Sequence, residues 1–133
     1  MTSEVIYNGD LRTTCTHLRS GIQVITDAPV DNRGKGEAFS PTDLVATALA
    51  SCMMSIMGIR AMDNGLDIRG AKAEVNKIMA ADPRRIARVE ITFTMPQNNF
   101  TEDQKNLLVE AAMGCPVCMS LGTGCGQEVV FVW

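Results

Sequence analysis

The chain has 133 residues, enough for one domain with a real hydrophobic core. Hydrophobic residues make up 46% and charged residues 20%, the balance of an ordinary globular protein. The formal net charge of −3, with Arg84-Arg85 as the one basic pair, leaves no electrostatic footprint for nucleic acid.

The N-terminus, Met1-Thr2-Ser3-Glu4, has neither the basic nor the apolar region of a leader peptide. Short strands are predicted at Val5-Ile6-Tyr7, at Thr13 to His17 and at Ile22 to Ile25. Asn8-Gly9-Asp10 and Arg19-Ser20-Gly21 supply the turns between them. Asp27 to Phe39 is polar, contains Gly34 and Gly36, and reads as a loop. A helix then starts sharply, with Ser40 as its cap, Pro41 in its first position and Asp43 complementing the dipole. From Val45 to Ile59 it is apolar nearly all round, which predicts burial on most faces. Asn64-Gly65 is its stop signal.

Two β-like runs follow, Ala71 to Met79 and Ile86 to Met95, joined by the turn sequence Ala81-Asp82-Pro83-Arg84. Val89, Ile91, Phe93 and Met95 alternate with Glu90, Thr92 and Thr94, giving one buried and one wet face. A second helix starts at Thr101, where Gln104 completes a capping box, and ends at Gly114. Pro116 restarts a short helix with Cys115 at or next to its N-cap. Glu128 to Trp133 reads as a closing strand. The order is three strands, a long helix, two strands, a helix pair and a strand. It defines a single α+β domain over residues 1–133, with antiparallel sheets packed around a long central buried helix.

The longest uncharged stretch, Leu44 to Ile59, falls short of the ~18–20 residues that span a bilayer. With no leader visible, a cytoplasmic protein without membrane attachment is expected. Five cysteines (Cys15, Cys52, Cys115, Cys118 and Cys125) are an odd number, which argues against a structural disulfide framework. Nine methionines, many near Cys52 and Cys115, suggest an adaptable apolar lining, or simply core filling.

Cys115 has a local argument for reactivity. A thiol at a helix N-terminus faces unpaired N–H groups that favour the thiolate, and Cys115-Pro116-Val117-Cys118 has redox spacing. Cys52 lies in mid-helix and needs a nearby cation or donor; by itself it reads as a small buried thiol. Cys115, Cys118 and Cys125, with Cys52 or His17, form the only metal-ligand set worth weighing. A second paired cysteine motif is missing, so no metal is expected. No glycine-rich phosphate loop has the required spacing.

Two segments together resemble the OsmC/Ohr family, the osmotically inducible and organic hydroperoxide resistance proteins. The first runs from Phe39-Ser40-Pro41 through Leu49-Ala50-Ser51-Cys52. The second is Ala111-Ala112-Met113-Gly114-Cys115-Pro116-Val117-Cys118 with Met119-Ser120-Leu121. The resemblance implies an intertwined homodimer with its active sites at the interface. It implies a thiol-dependent peroxidase acting in oxidative stress defence. The thiol at Cys52 attacks an organic hydroperoxide and becomes a sulfenic acid, Cys115 resolves it as a disulfide, and an external dithiol or lipoyl-type reductant restores the pair. No bound cofactor is implied. The family's reductases activate the attacking cysteine with an arginine from an N-terminal turn, held by a glutamate just after the helix-start proline. The resemblance assigns that arginine to Arg19, with Arg12 as the alternative. Here Thr42 follows Pro41, so Asp43 is the candidate to hold the arginine. Cys118 stands where many relatives have serine and is a possible second resolving thiol. Thr42 also motivates an alternative, a redox-sensing or small-molecule-binding member with little turnover.

Overall fold

The computed structural model describes residues 1–133, and the chain forms two units, Met1–Val45 and Ala46–Trp133. The first holds a three-stranded antiparallel sheet in sequence order: β1 (Ser3–Gly9), β2 (Arg12–His17) and β3 (Gln23–Asp27). Asp10 and Leu11, between β1 and β2, take φ of 53° and 62°. Two successive left-handed residues match the twist of paired strands, which sets this hairpin. Val5, Ile6, Tyr7, Ile22, Val24 and Ile25 are 39–68% exposed, so the sheet carries a broad apolar surface.

The segment after β3 is not all loop: Val30–Asn32 is a short 3-10 turn. Gly34 is required there by close approach, since a Cβ would lie 1.7 Å from the Ala28 carbonyl oxygen. Phe39 returns beside β3, bridging Thr26 and accepting the Asp27 N–H at 3.0 Å.

The long helix α1 (Pro41–Asp63) begins as its sequence dictates. Ser40 Oγ accepts the Asp43 N–H at 3.1 Å, and the Asp43 carboxylate accepts the Ser40 N–H at 2.9 Å. This reciprocal cap satisfies two otherwise orphan donors. At the other end, Leu66 N–H reaches the Ala61 carbonyl at 2.9 Å and Gly65 N–H that of Met62 at 3.3 Å. Gly65 has φ 64°, so the stop is a Schellman motif at the expected Asn64-Gly65.

In the second unit, β4 (Lys72–Ala80), β5 (Arg85–Thr94) and β6 (Gly126–Val132) form a sheet with β5 central. Helices α2 (Glu102–Met113) and α3 (Pro116–Ser120) connect β5 to β6. The expectation of antiparallel sheets is corrected here: β4–β5 is antiparallel, but β5–β6 is parallel. The physical reason is the crossover. Two helices carry the chain back to the end where β5 began, so β6 enters in the same direction. The predicted capping box at Thr101 and Gln104 is present.

One core organises this unit. Leu49, Ala50, Met53, Met57 and Ala61 of α1 join Val89, Ile91, Phe93, Met95, Leu108, Ala112, Cys115 and Cys118 in a single buried cluster. Each fully buried Leu, Met or Phe contributes roughly 1.5–3 kcal/mol. Phe93 stacks on Phe131 at 5.1 Å, and Phe131 on Trp133 at 5.9 Å. Met53 and Met57 are core filling, with no exposed surface.

A second correction concerns α1. Within this chain it is buried on one face only; Thr47, Ala48, Ser51, Ser55, Ile59 and Met62 are exposed, Met62 to 81%. The fully buried positions follow an i, i+3, i+4, i+7 stripe, and Cys52, Met54 and Ile56 beside it are half-buried against the same core. The helix also runs past Ile59 to Asp63, so its 23 residues are long and apolar enough, by length and composition, to cross a membrane. The core helix of a soluble protein passes the same test.

Candidate active site

The cysteine cluster is built where the helix is interrupted between α2 and α3. Gly114 closes α2 by donating to the Glu110 carbonyl at 3.1 Å. Cys115 then takes φ −67° and ψ 149°, and Pro116 starts α3 from a ring already set for the helix. In this pose Cys115 Sγ accepts the Cys118 N–H at 3.3 Å. Cys115 is fully buried.

Cys52 lies one position before buried Met53 on α1, partly exposed, and packs against the same core cluster as Cys115. The two thiols are neighbours: Cys52 raises the pKa of Cys115. All five cysteines are free thiols. The second unit therefore brings together the two cysteines singled out from sequence.

The electrostatic expectation for Cys115 is overturned. Its pKa is raised, not lowered. Burial is the largest cause; the Cys118 N–H works in the opposite direction, and Cys52 and Cys118 push the same way as burial. One 3.3 Å N–H···S contact at a five-residue helix does not offset removal of the thiolate from water.

Cys118 is the third member of the group. Its thiol donates to Gln127 Oε1 at 2.8 Å, and Gln127 Nε2 donates to the Cys118 carbonyl at 3.1 Å. Gln127 is a residue that sequence reasoning missed. The closing strand was expected from Glu128, and only a β6 beginning at Gly126 carries Gln127 into register with Val89. Cys125 is partly buried, with its thiol 3.8 Å from the Gly126 carbonyl oxygen.

In the first unit the two candidate arginines differ sharply. Arg19 is exposed on the β2–β3 turn and enters none of the ion pairs. Arg12, at the start of β2, forms a salt bridge with Glu37 and lies 3.5 Å from the Asp27 carboxylate. Asp27 is only 1% exposed, and its Oδ2 also accepts the Glu37 N–H at 2.9 Å. That N–H is the main reason its pKa is lowered, against burial and with help from Arg12. Glu37 and Asp27 hold the Arg12 guanidinium charged. Arg12 Nε and Asp27 Oδ1 are buried without a hydrogen-bond partner. Asp27 and Glu37 were read as loop residues, and no local signal marks them as partners of Arg12.

Asp43 is engaged in the cap of α1, where it holds the Ser40 N–H. Thr42 Oγ1 lies 3.1 Å from Ser40 Oγ. His17 Nδ1 is hydrogen-bonded to Ser20 Oγ at 2.7 Å. No group of three or more His, Cys, Asp or Glu side chains is arranged to hold a metal ion.

An α+β chain with a buried thiol cluster between a long helix and a helix pair belongs to a recognisable class. A family model described as OsmC-like protein matches residues 34–129, and the chain belongs to that family. The family is a cysteine-based fold without a prosthetic cofactor. Among solved structures, the chain is 52% identical to an osmotic stress induced and detoxification response protein from Psychrobacter arcticus 273-4. That match covers 98% of this chain and 95% of the other, with a TM-score of 0.94. An organic hydroperoxide resistance protein from Legionella pneumophila is 14% identical over 100% of this chain and 98% of its own, with a TM-score of 0.74. A third, from Elizabethkingia anophelis, is 14% identical over 99% and 96%, with a TM-score of 0.70. The last two likenesses speak for the fold. A search of curated proteins gives no match.

Proposed function

We propose that the protein is a thiol-dependent peroxidase that reduces organic hydroperoxides through Cys52 and Cys115. The observation that carries this reading is the meeting of the two free thiols in the core of the second unit, Cys52 partly exposed and Cys115 fully buried. Family membership and relatives described as organic hydroperoxide resistance proteins support it. In the proposed cycle the Cys52 thiolate takes the terminal oxygen of ROOH, releasing ROH and leaving a sulfenic acid. The Cys115 thiol then displaces hydroxide, which leaves as water with the thiol proton, and a disulfide remains. An external dithiol, of lipoyl type in this reading, reduces it by exchange.

The family resemblance offers Arg19 or Arg12 as the cation that activates Cys52, and we take Arg12 on its own surroundings. Arg12 alone of the two is organised, with a buried aspartate and Glu37 fixing its fork. The exposed apolar residues of β1 to β3 and of α1 support an intertwined homodimer. A cytoplasmic location remains part of the proposal.

The test is steady-state consumption of cumene hydroperoxide with a dithiol reductant. Turnover is expected in the wild type and abolished in Cys52→Ser. An unchanged rate in Cys52→Ser sinks the proposal. A second reading, redox sensing or small-molecule binding with little turnover, is favoured by Thr42 after Pro41 and by Asp43 being occupied with Ser40. Stoichiometric oxidation of the cysteine pair without sustained turnover would select it.

A further inference from the structure

Cys118 is the cysteine the proposed cycle leaves unused, and its surroundings are those of a working part. Three thiols share one corner of the second unit: Cys52 from α1, Cys115 at the start of α3, and Cys118 in its first turn. Cys115 feels both neighbours: burial raises its pKa most, the Cys118 N–H lowers it, and the Cys52 thiol and the Cys118 charge raise it. Cys118 is spaced to bond with it. Residues three apart on a helical turn have Cα atoms about 5 Å apart, inside the 4.4–6.8 Å range of disulfides. The Cys118 N–H already closes the ring on Cys115 Sγ at 3.3 Å. Gln127 grips Cys118 twice, through the thiol at 2.8 Å and the carbonyl at 3.1 Å. The thiol is therefore held oriented, and Cys118 is 9% exposed, shielded from direct attack by bulky peroxides.

We propose that Cys118 is a second resolving thiol that takes over the disulfide from Cys52. This rests on the peroxidase reading above, because it begins from the Cys52–Cys115 disulfide. Cys118 loses its thiol proton and its sulfur bonds to Cys115 Sγ. The Cys52–Cys115 bond breaks, its electron pair leaves on Cys52, and the proton given up by Cys118 goes to that sulfur, so Cys52 becomes a thiol. The exchange is redox-neutral and needs no further reagent. Its product is a Cys115–Cys118 disulfide beside a Cys52 ready for another hydroperoxide. Each chain then stores the oxidising equivalents of two peroxides before meeting a reductant, the second as a Cys52 sulfenic acid.

Peptide mapping separates the outcomes cleanly. Trypsin cuts after Lys35, Arg60 and Lys105, so Cys52 falls on peptide 36–60, whereas Cys115, Cys118 and Cys125 all fall on 106–133. Reduced protein is treated with excess cumene hydroperoxide and dimedone, without reductant, in a Cys125→Ser background. In the presence of Cys118, peptide 106–133 should be lighter by the hydrogens lost to an internal disulfide, and 36–60 should carry dimedone on Cys52. The chain should consume about two equivalents of peroxide. In Cys118→Ser, whose hydroxyl can still donate to Gln127, the two peptides should be cross-linked, with about one equivalent consumed and no dimedone. A cross-link in both proteins, with no internal disulfide in either, overturns the relay and leaves the peroxidase reading intact. Absence of any Cys52 oxidation in either protein overturns both.

Discussion

Replacing Cys115 separates what its sulfur does for the fold from what it does for chemistry. In Cys115→Ala the acceptor of the Cys118 N–H disappears, exposing a first-turn donor of α3 inside the core. Loss of an N-cap side chain costs about 1 kcal/mol. The sulfur is also removed from a site with 0% exposure, and deleting one methyl-sized buried group costs about 1 kcal/mol more. The sum is about 2 kcal/mol, or roughly 6–10 °C in Tm for a chain this size. Cys115→Ser keeps an acceptor at the N-cap and should lose only about 1 kcal/mol, mainly the apolar part. The assay is urea unfolding under reducing conditions at one protein concentration, because an oligomer's apparent stability depends on it. Equal losses in the two variants, or a loss below about 0.5 kcal/mol in Cys115→Ala, would refute the capping role.

Two further outcomes follow from the same geometry. Arg12→Lys keeps a charge for Asp27 but loses the planar fork, and should slow peroxide-driven oxidation of Cys52 by about tenfold or more, while Arg19→Ala leaves it unchanged; stopped-flow oxidation with cumene hydroperoxide reads both, and the reverse order would return the role to Arg19. Cys115 gives an alkaline signature: its folded pKa lies above the ordinary 9.0, so its contribution to stability is fully present below that value and is lost as pH rises through the folded pKa. The urea midpoint of the reduced wild type should fall more steeply above pH 9 than that of Cys115→Ser; parallel profiles would show that burial does not hold the proton.

Local signals were legible in the sequence and non-local ones were not. Ser40-Pro41, Thr101 with Gln104, and Asn64-Gly65 each fix a helix end through contacts within a few residues, and each end falls where those residues put it. The alternation through Val89, Ile91 and Phe93 found the buried face of β5 for the same reason. The direction of β6 depends on a crossover of two helices, which no residue in Gly126–Val132 encodes. Arg12 meets Asp27 and Glu37 across 15 and 25 residues, a pairing made by strand register and a returning loop. The sequence therefore leaves Arg19 and Arg12 both open, and only their surroundings in the fold set them apart. The same holds for α1, whose composition is apolar all round although Thr47, Ala48, Ser51, Ser55, Ile59 and Met62 stay exposed in the chain.

The pKa of Cys115 changes the logic of the thiol cluster. A helix-terminal cysteine with a lowered pKa would be both the better nucleophile and the better leaving group, and it would compete with Cys52 for peroxide. Burial reverses this: Cys115 keeps its proton and, with no exposed surface, is kept from solution oxidants. In the proposed cycle Cys52, partly exposed on α1, is then the thiol that meets substrate first, and depth sets that order in place of helix electrostatics. The same fact bears on reduction. A reductant that attacks Cys52 must expel Cys115 against its burial, because a thiolate of raised pKa leaves slowly. Attack on Cys115 avoids that, and the group best placed to make it is the cysteine one helical turn away, held in position by Gln127. In the proposed relay Cys118 thus gives the buried sulfur an internal partner.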